Sequence, residues 1–262
     1  KSTNLLFILH KMFLLFKFFI TLIIFHNSEK KWIDIFNGNN LDGWEIKIRG
    51  HKVNDNFNNT FKVKNGVLEV SYDGYDQFDN KFGHIFYTLK EFKDYHLSLE
   101  YRFFGSHLLG APSWSIKNSG IMIHSQSPFS MLIDQEFPVS IEAQLLGGID
   151  KSKSRSTLNM CSPGTEVFIK DIKASSHCVN SKSKTYYSDQ WIKAEVIVYS
   201  DSIIHHIINK DTVLSYTNIT IGGEYIPENF SKKIGSNLKK GFISLQSEGH
   251  PIQFKNIKIK PF

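Results

Sequence analysis

Ser140-Ile141-Glu142-Ala143-Gln144-Leu145-Leu146-Gly147-Gly148 reads as a strand that runs out into a loop. Successive side chains on a strand point to opposite faces. Ile141, Ala143 and Leu145 therefore share one side, and Glu142 and Gln144 share the other, about 7 Å apart along it. A strand that is apolar on one side and carries a carboxylate and an amide on the other is a wall of a polar cleft or a solvated surface. Which of the two it is decides what the chain does.

The flanking sequence has the same two-residue rhythm. Upstream, Asn118-Ser119-Gly120-Ile121-Met122-Ile123-His124 reads as a strand with Asn118, Gly120, Met122 and His124 on one face. Ser125 to Phe137 reads as a loop. In Tyr95 to Phe103, Leu97, Leu99, Tyr101 and Phe103 oppose His96, Ser98, Glu100 and Arg102. Phe61 to Val70 is a hairpin pattern with an Asn65-Gly66 turn. Downstream, Gly147 to His177 lacks a two-residue period and reads as a long loop. Long ordered loops in compact domains are often functional. Strands resume over Trp191–Tyr199, Ile203–Asn209, Val213–Tyr216, Gly241–Glu248 and Ile252–Ile259, with a polar loop over Gly222–Leu238. Ten or more strands and no convincing amphipathic helix predict an all-β sandwich or barrel. No fixed repeat marks a propeller.

The chain has 262 residues, 41% of them hydrophobic, enough to bury one large all-β core. The formal net charge is +6, but the basic residues are scattered, which argues against nucleic acid as a partner. Leu5 to Phe25 is apolar and broken by His10-Lys11 and Lys17. Read from Met12, it has the shape of an export signal. Residues 1–28 are thus expected to be upstream sequence and signal, with cleavage near Ser28, and 29–262 a single exported domain. Cys161 and Cys178 show no C-x-x-C spacing. With an export signal the leading reading is a disulfide, worth about 3 kcal/mol in the chain-entropy model. The other is a pair of reduced, buried thiols.

The order of several motifs resembles a known family. These are the Trp32-Ile33-Asp34-Ile35-Phe36-Asn37-Gly38 opening that runs to Leu41-Asp42-Gly43-Trp44, Asn118-Ser119-Gly120-Ile121, Ile141-Glu142-Ala143-Gln144, Gln190-Trp191, His206 to Asn209, Gly241 to Glu248 and Phe254 to Ile257. Together they are similar to the 3-keto-disaccharide hydrolase domain over Trp32 to Phe262. Arg155 to Thr165, with His177-Cys178, resembles a subgroup of exported bacterial members. Where the family often has Arg and Val, this chain has His124 and Ala143. The resemblance implies a concanavalin A-like jelly roll of two curved antiparallel sheets whose concave face binds carbohydrate. It also implies cleavage of glycosides carrying a ketone at C3 of the glucose ring.

A C3 ketone acidifies the hydrogen on C2. A base removes that proton, the C1 substituent is expelled, and water adds to the unsaturated ketone. This route needs a base, an enolate-stabilising group and an acid, and not the oxocarbenium machinery of ordinary glycosidases. The E-x-D-x-x-E pattern of glucanases on this fold is absent. Glu142, His124 and Arg155 are the catalytic candidates. Gln144, Glu100, Arg102, Asn118, His206, Gln246, Glu248 and Trp114 are the substrate-binding candidates, with His177 weighed beside them. Trp191 reads as core. Glu142, His124 and Glu248 offer ligand atoms for calcium or a transition metal, but no ligand spacing supports a site. No nucleotide cofactor is expected. For each of these residues an ordinary surface or core role is the plain alternative. For the chain as a whole the alternatives are a non-catalytic carbohydrate-binding module and a surface adhesion role.

Overall fold

The computed structural model describes residues 31–187 and 190–262, and the expected export signal lies outside them. The described domain is Trp32–Phe262. In chain order its strands are β1 (Ile33–Asp34), β2 (Trp44–Ile48), β3 (Phe61–Lys64), β4 (Val67–Val70), β5 (Gly83–Phe92), β6 (Asp94–Phe103), β7 (Asn118–Ser125), β8 (Ile141–Leu146), β9 (Asn159–Cys161), β10 (Thr165–Ile169), β11 (Ile172–Lys173), β12 (Cys178–Val179), β13 (Ile192–Tyr199), β14 (Ile203–Ile208), β15 (Asp211–Ile221), β16 (Gly241–Ser247) and β17 (Ile252–Pro261). A ten-stranded sheet runs β11-β10-β15-β14-β13-β6-β17-β4-β3, with β1 beside β17. A seven-stranded sheet runs β12-β9-β8-β7-β16-β5-β2. All pairings are antiparallel. The architecture is an all-β sandwich, one of the two forms that the strand pattern predicts, and the jelly roll that the family resemblance implies.

The inner faces build one core. The seven-stranded sheet contributes Ile121, Ile123, Ile141, Ala143, Leu145, Ile243 and Leu245, and the ten-stranded sheet contributes Leu97, Leu99, Tyr101, Phe103, Val196 and Phe254. This is the apolar set that the two-residue period assigns to each strand. The Phe61–Val70 hairpin turns at Asn65 (φ 52°) and Gly66 (φ 79°). Left-handed backbone at both positions is what a tight turn of this kind requires, and Asn-Gly accommodates it at low cost.

One stretch departs from the sequence reading. Gly147–His177 contains β9, β10 and β11. β9 spans three residues, all buried, and β11 spans two, so neither is long enough to display a period. The polar stretch 222–238 includes a short 3-10 turn, Glu228–Lys233. It packs Phe230, Ile226 and Leu238 with Val139 and Ile221 into a small second cluster. Residues 126–139 join it there and lie over the outer side of the seven-stranded sheet. On that side Lys47 Nζ donates to the Ile133 carbonyl at 2.8 Å, and the ring of His84 meets Phe137 edge-on at 6.3 Å. The outer face of the seven-stranded sheet is consequently a roofed surface, and the site lies there.

Candidate functional site

Three neighbouring strands bring the polar residues together. On β8, Glu142 and Gln144 point outward; they pair with Met122 and Gly120 of β7. On the far side of β7, β16 pairs Ser244 with Met122 and Leu245 with Ile121, which sets Gln246 level with Gly120 and Glu248 just beyond the strand end. Gly120 lets the site close up. A Cβ there would lie 2.5 Å from Glu142 Oε1 and 2.6 Å from its Cγ, so the carboxylate lies over β7 toward β16 only because that position has no side chain.

The result is a cavity of about 320 Å³ whose lining includes Asn118, Glu142, Gln144, Glu248, Arg155 and Trp114. Glu142, Glu248 and Asn118 are buried, and Gln246 is fully buried beside them. Four of their oxygens have no hydrogen-bond partner: Glu142 Oε1, Glu248 Oε2, Asn118 Oδ1 and Gln246 Oε1. Gln246 Nε2 also lacks an acceptor. Buried polar atoms in folded proteins are nearly always paired, so a concentration of exceptions calls for an explanation. Burial pushes the Glu142 carboxyl well above the usual carboxylate range. Glu248 is pushed up as well, by burial first and by the charge of Glu142 second. Two carboxyls that disfavour each other's ionisation lose their protons in separate steps, the second at higher pH than the first.

The walls are built by backbone and disulfide. Arg155 Nη1 donates to the carbonyls of Ile116 (2.6 Å) and Gly147 (2.8 Å), and Nη2 to that of Trp114 (3.3 Å). The guanidinium thus holds the 112–118 loop against the end of β8. Cys161 and Cys178 form a disulfide between directly opposed residues of β9 and β12, and both line the cavity. Next to it, His177 faces the same cavity with Nδ1 unpartnered and packs against Tyr225, ring centroids 5.0 Å apart. Burial lowers its pKa, which favours the neutral ring. Although Cys161, His177 and Cys178 approach one another, both sulfurs are committed to the disulfide and are not thiolate ligands. Trp114 is 51% exposed and stacks parallel to Phe82 at 6.0 Å, leaving a ring face at the rim.

Four of the sequence candidates lie elsewhere. His124, two residues beyond Met122, has a left-handed backbone, φ 51°, opposite an irregularity in β16 between Phe242 and Ser244. The alternation breaks there, and its ring turns to Tyr95, with Nε2 3.1 Å from the Ser200 carbonyl oxygen. His206 is fully buried between the sheets, its Nδ1 3.0 Å from the Leu158 carbonyl oxygen and its Nε2 2.9 Å from the Tyr216 hydroxyl. Glu100 and Arg102 lie on the outer face of the ten-stranded sheet. Glu100 accepts from Asn256 at 2.6 Å, and Arg102 donates to Gln253 at 2.7 Å. Trp191, expected in the core, lies instead on that outer face, under Arg102 and Lys255 at 4.7 and 4.1 Å.

The sequence reading also passed over residues that the fold brings in. His84 pairs with Gln246 and Lys47 with His84, extending the buried polar row across the sheet. Burial and the charge of Lys47 push the His84 pKa down to about 3. Glu136, Phe137 and Tyr225 complete the cavity from the roofing loops. Only strand pairing and loop folding make them neighbours of Glu142, and a linear pattern carries no such signal.

The family model described as "3-keto-alpha-glucoside-1,2-lyase-like domain" matches residues 31–260. The chain belongs to this family. No curated protein matches it significantly in sequence. Among solved structures, it is similar to a glycosyl hydrolase candidate from Parabacteroides distasonis, with 18% identity, 92% of this chain and 98% of that chain covered, and a TM-score of 0.52. It is also similar to a Bacillus subtilis protein of unknown function with a galectin-like fold, with 11% identity, 84% and 90% covered, and a TM-score of 0.51. At these identities the likeness concerns the fold. The family membership points to glycoside-related chemistry and so to carbohydrate as the ligand class.

Proposed function

We propose that the protein cleaves glycosides bearing a ketone at C3, by removal of the C2 proton, elimination at C1 and hydration. The observation that carries this reading is the pair of buried carboxyls, Glu142 and Glu248, whose acidities are both weakened and which face one cavity. A buried carboxylate with a raised pKa is a competent base, and a carboxyl kept protonated by its neighbour is a competent acid at the same pH. Glu142 takes the C2 proton. The C–H electron pair forms the enolate, whose oxygen is met by the amide of Asn118 in the cavity wall. Glu248 protonates the leaving oxygen at C1 as the C1–O bond breaks. Water then adds at C1 of the unsaturated ketone, C2 is reprotonated, and the carboxyls return to their starting states.

A divalent cation fits the same donors. Glu142 Oε1, Glu248 Oε2, Asn118 Oδ1 and Gln246 Oε1 are unpaired oxygens of the kind that hard cations take. His124 is not among them. When bound, such an ion would polarise the ketone and stabilise negative charge on its oxygen. A disulfide in the wall supports an exported location, because such bonds persist in oxidising compartments.

The test is turnover of a 3-keto-glucoside and its unoxidised parent, with and without EDTA, followed by NMR in deuterated water. Release of the aglycone from the keto form alone, with deuterium entering at C2, is the expected result. Cleavage of the unoxidised parent would overturn the mechanism. Binding without cleavage of either would make the protein a carbohydrate-binding module.

A further inference from the structure

We infer that His84 and Gln246 are positioning residues for Glu142, set in a buried hydrogen-bonding row that begins at Lys47. This deepens the reading above and rests on it for the role of Glu142 as base. Four strands place the row. Lys47 of β2 is directly opposite His84 of β5, and His84 is directly opposite Gln246 of β16. The next position is Gly120 of β7, which has no side chain, and the Glu142 carboxylate lies over it. Lys47, His84, Gln246 and the Glu142 carboxylate therefore follow one another across the outer face of the sheet. Opposed side chains on one face start about 5 Å apart at Cβ, so rotation about side-chain bonds brings each polar group within hydrogen-bond reach of the next.

The row is roofed, and its polar atoms are free. Lys47, His84 and Gln246 are buried, beneath the Ile133 carbonyl and the Phe137 ring. Both ring nitrogens of His84, both amide atoms of Gln246 and Glu142 Oε1 have no partner among the described residues. The neighbouring row, two residues along each strand, holds Phe86, Ser244 and Met122, all buried. The same face therefore accepts apolar side chains, and packing does not call for an imidazole opposite an amide. Lys47 gives the row its direction. Its Nζ donates to the Ile48 and Ile133 carbonyls at 2.9 and 2.8 Å. Its charge is felt at the buried, neutral ring and attracts the imidazole lone pair, so the ring proton sits on the nitrogen nearer Gln246. That N–H donates to Gln246 Oε1, which turns Nε2 to donate to Glu142 Oε1. A donated hydrogen bond favours the charged carboxylate, the form that accepts the C2 proton. In this arrangement a cation in the site draws on Glu142, Glu248 and Asn118, and the Gln246 oxygen stays with His84.

The experiment is nitrogen-15 NMR of the histidine rings at neutral pH, alongside turnover of a 3-keto-glucoside. The wild type is expected to show a slowly exchanging ring N–H that His84→Gln removes, and Gln246→Leu and Lys47→Met should each shift it. His84→Leu should lower kcat about tenfold, the effect of one hydrogen bond, and leave KM within about twofold. His84→Gln should recover part of kcat, because an amide both accepts and donates. A ring proton indifferent to both Gln246→Leu and Lys47→Met would overturn the row. So would wild-type kcat in His84→Leu, or a rise in KM in place of the fall in kcat. If the wild type turns over no keto substrate, the base reading fails, and the response of the ring proton decides the row by itself.

Discussion

The outer faces of the two sheets carry similar residues and differ in what those residues touch. On the ten-stranded sheet the polar groups are paired. Glu195 meets Lys193 at 3.0 Å, Glu100 takes Asn256, and Gln253 bridges Arg102 to Glu69; the exception is His96 Nε2, which lies 3.2 Å from Glu195 Oε1 without a hydrogen bond. On the seven-stranded sheet Glu142, Gln246 and Glu248 are as buried as core residues and have oxygens with no partner. A paired polar face is a finished surface. A buried face left unpaired, at a cost of about 1–3 kcal/mol per group, is kept where a ligand supplies the missing partner.

The comparison is broken most directly by exchanging one carboxylate on each face. Glu142→Gln should lower turnover of a 3-keto-glucoside by about 10²–10⁴-fold, the span of a positioned general base, while Glu100→Gln leaves turnover unchanged. Equal losses would remove the distinction between the two faces. Gly120→Ala belongs with Glu142→Gln, since its Cβ displaces the carboxylate. Its expected signature is a large loss of turnover with the far-ultraviolet circular dichroism of a folded sandwich.

Removal of the disulfide by Cys161→Ser with Cys178→Ser should cost about 3 kcal/mol in chemical denaturation. It should also weaken sugar binding, because the bond is part of the cleft wall. A stability loss with unchanged binding would confine its role to the fold.

The carboxyl pair also predicts a pH dependence. Both groups have folded-state pKa values raised above their unfolded values, so the native state holds extra protons between the two. Their contribution to stability is complete below the ordinary carboxylate pKa of about 4.3. It is lost as pH rises through the raised values. Melting temperature at constant ionic strength should fall as pH climbs from 5 to about 8, and Glu248→Gln should flatten that slope. A flat wild-type profile would mean that the pair is neutralised by something other than protonation. The smallest effect is expected on the paired face, where Glu100→Gln should change stability by about 1 kcal/mol or less.

Much of the fold was legible in the chain. Alternation in Tyr95–Phe103 and Ile141–Leu146 assigned the inward residues correctly, and the Asn65-Gly66 turn was found from two letters. The floor of the site was legible in part: Glu142 with Gln144 as one face, and Gln246 and Glu248 as candidates on one strand. It was not legible which faces would meet. Glu100 and Arg102 look like cleft residues in a linear reading because alternation identifies the polar side of a strand and not the sheet it joins. His124 was misplaced by a single left-handed residue that ends the alternation, and His206 by being a polar group with partners inside the core. His84 and Tyr225 reach the site through pairing and loop packing, which are set by contacts distant along the chain.

The cross-strand disulfide has a consequence at the rim of the sheet. β12 is two residues long and is the outermost strand beyond β9, so Cys178 fastens a strand too short to hold its place by backbone hydrogen bonds alone. Until that bond forms, β9 is a bare edge, with amide and carbonyl groups open to pairing with another chain. Material made under reducing conditions should therefore aggregate edge to edge during folding, and oxidative folding should give monodisperse protein.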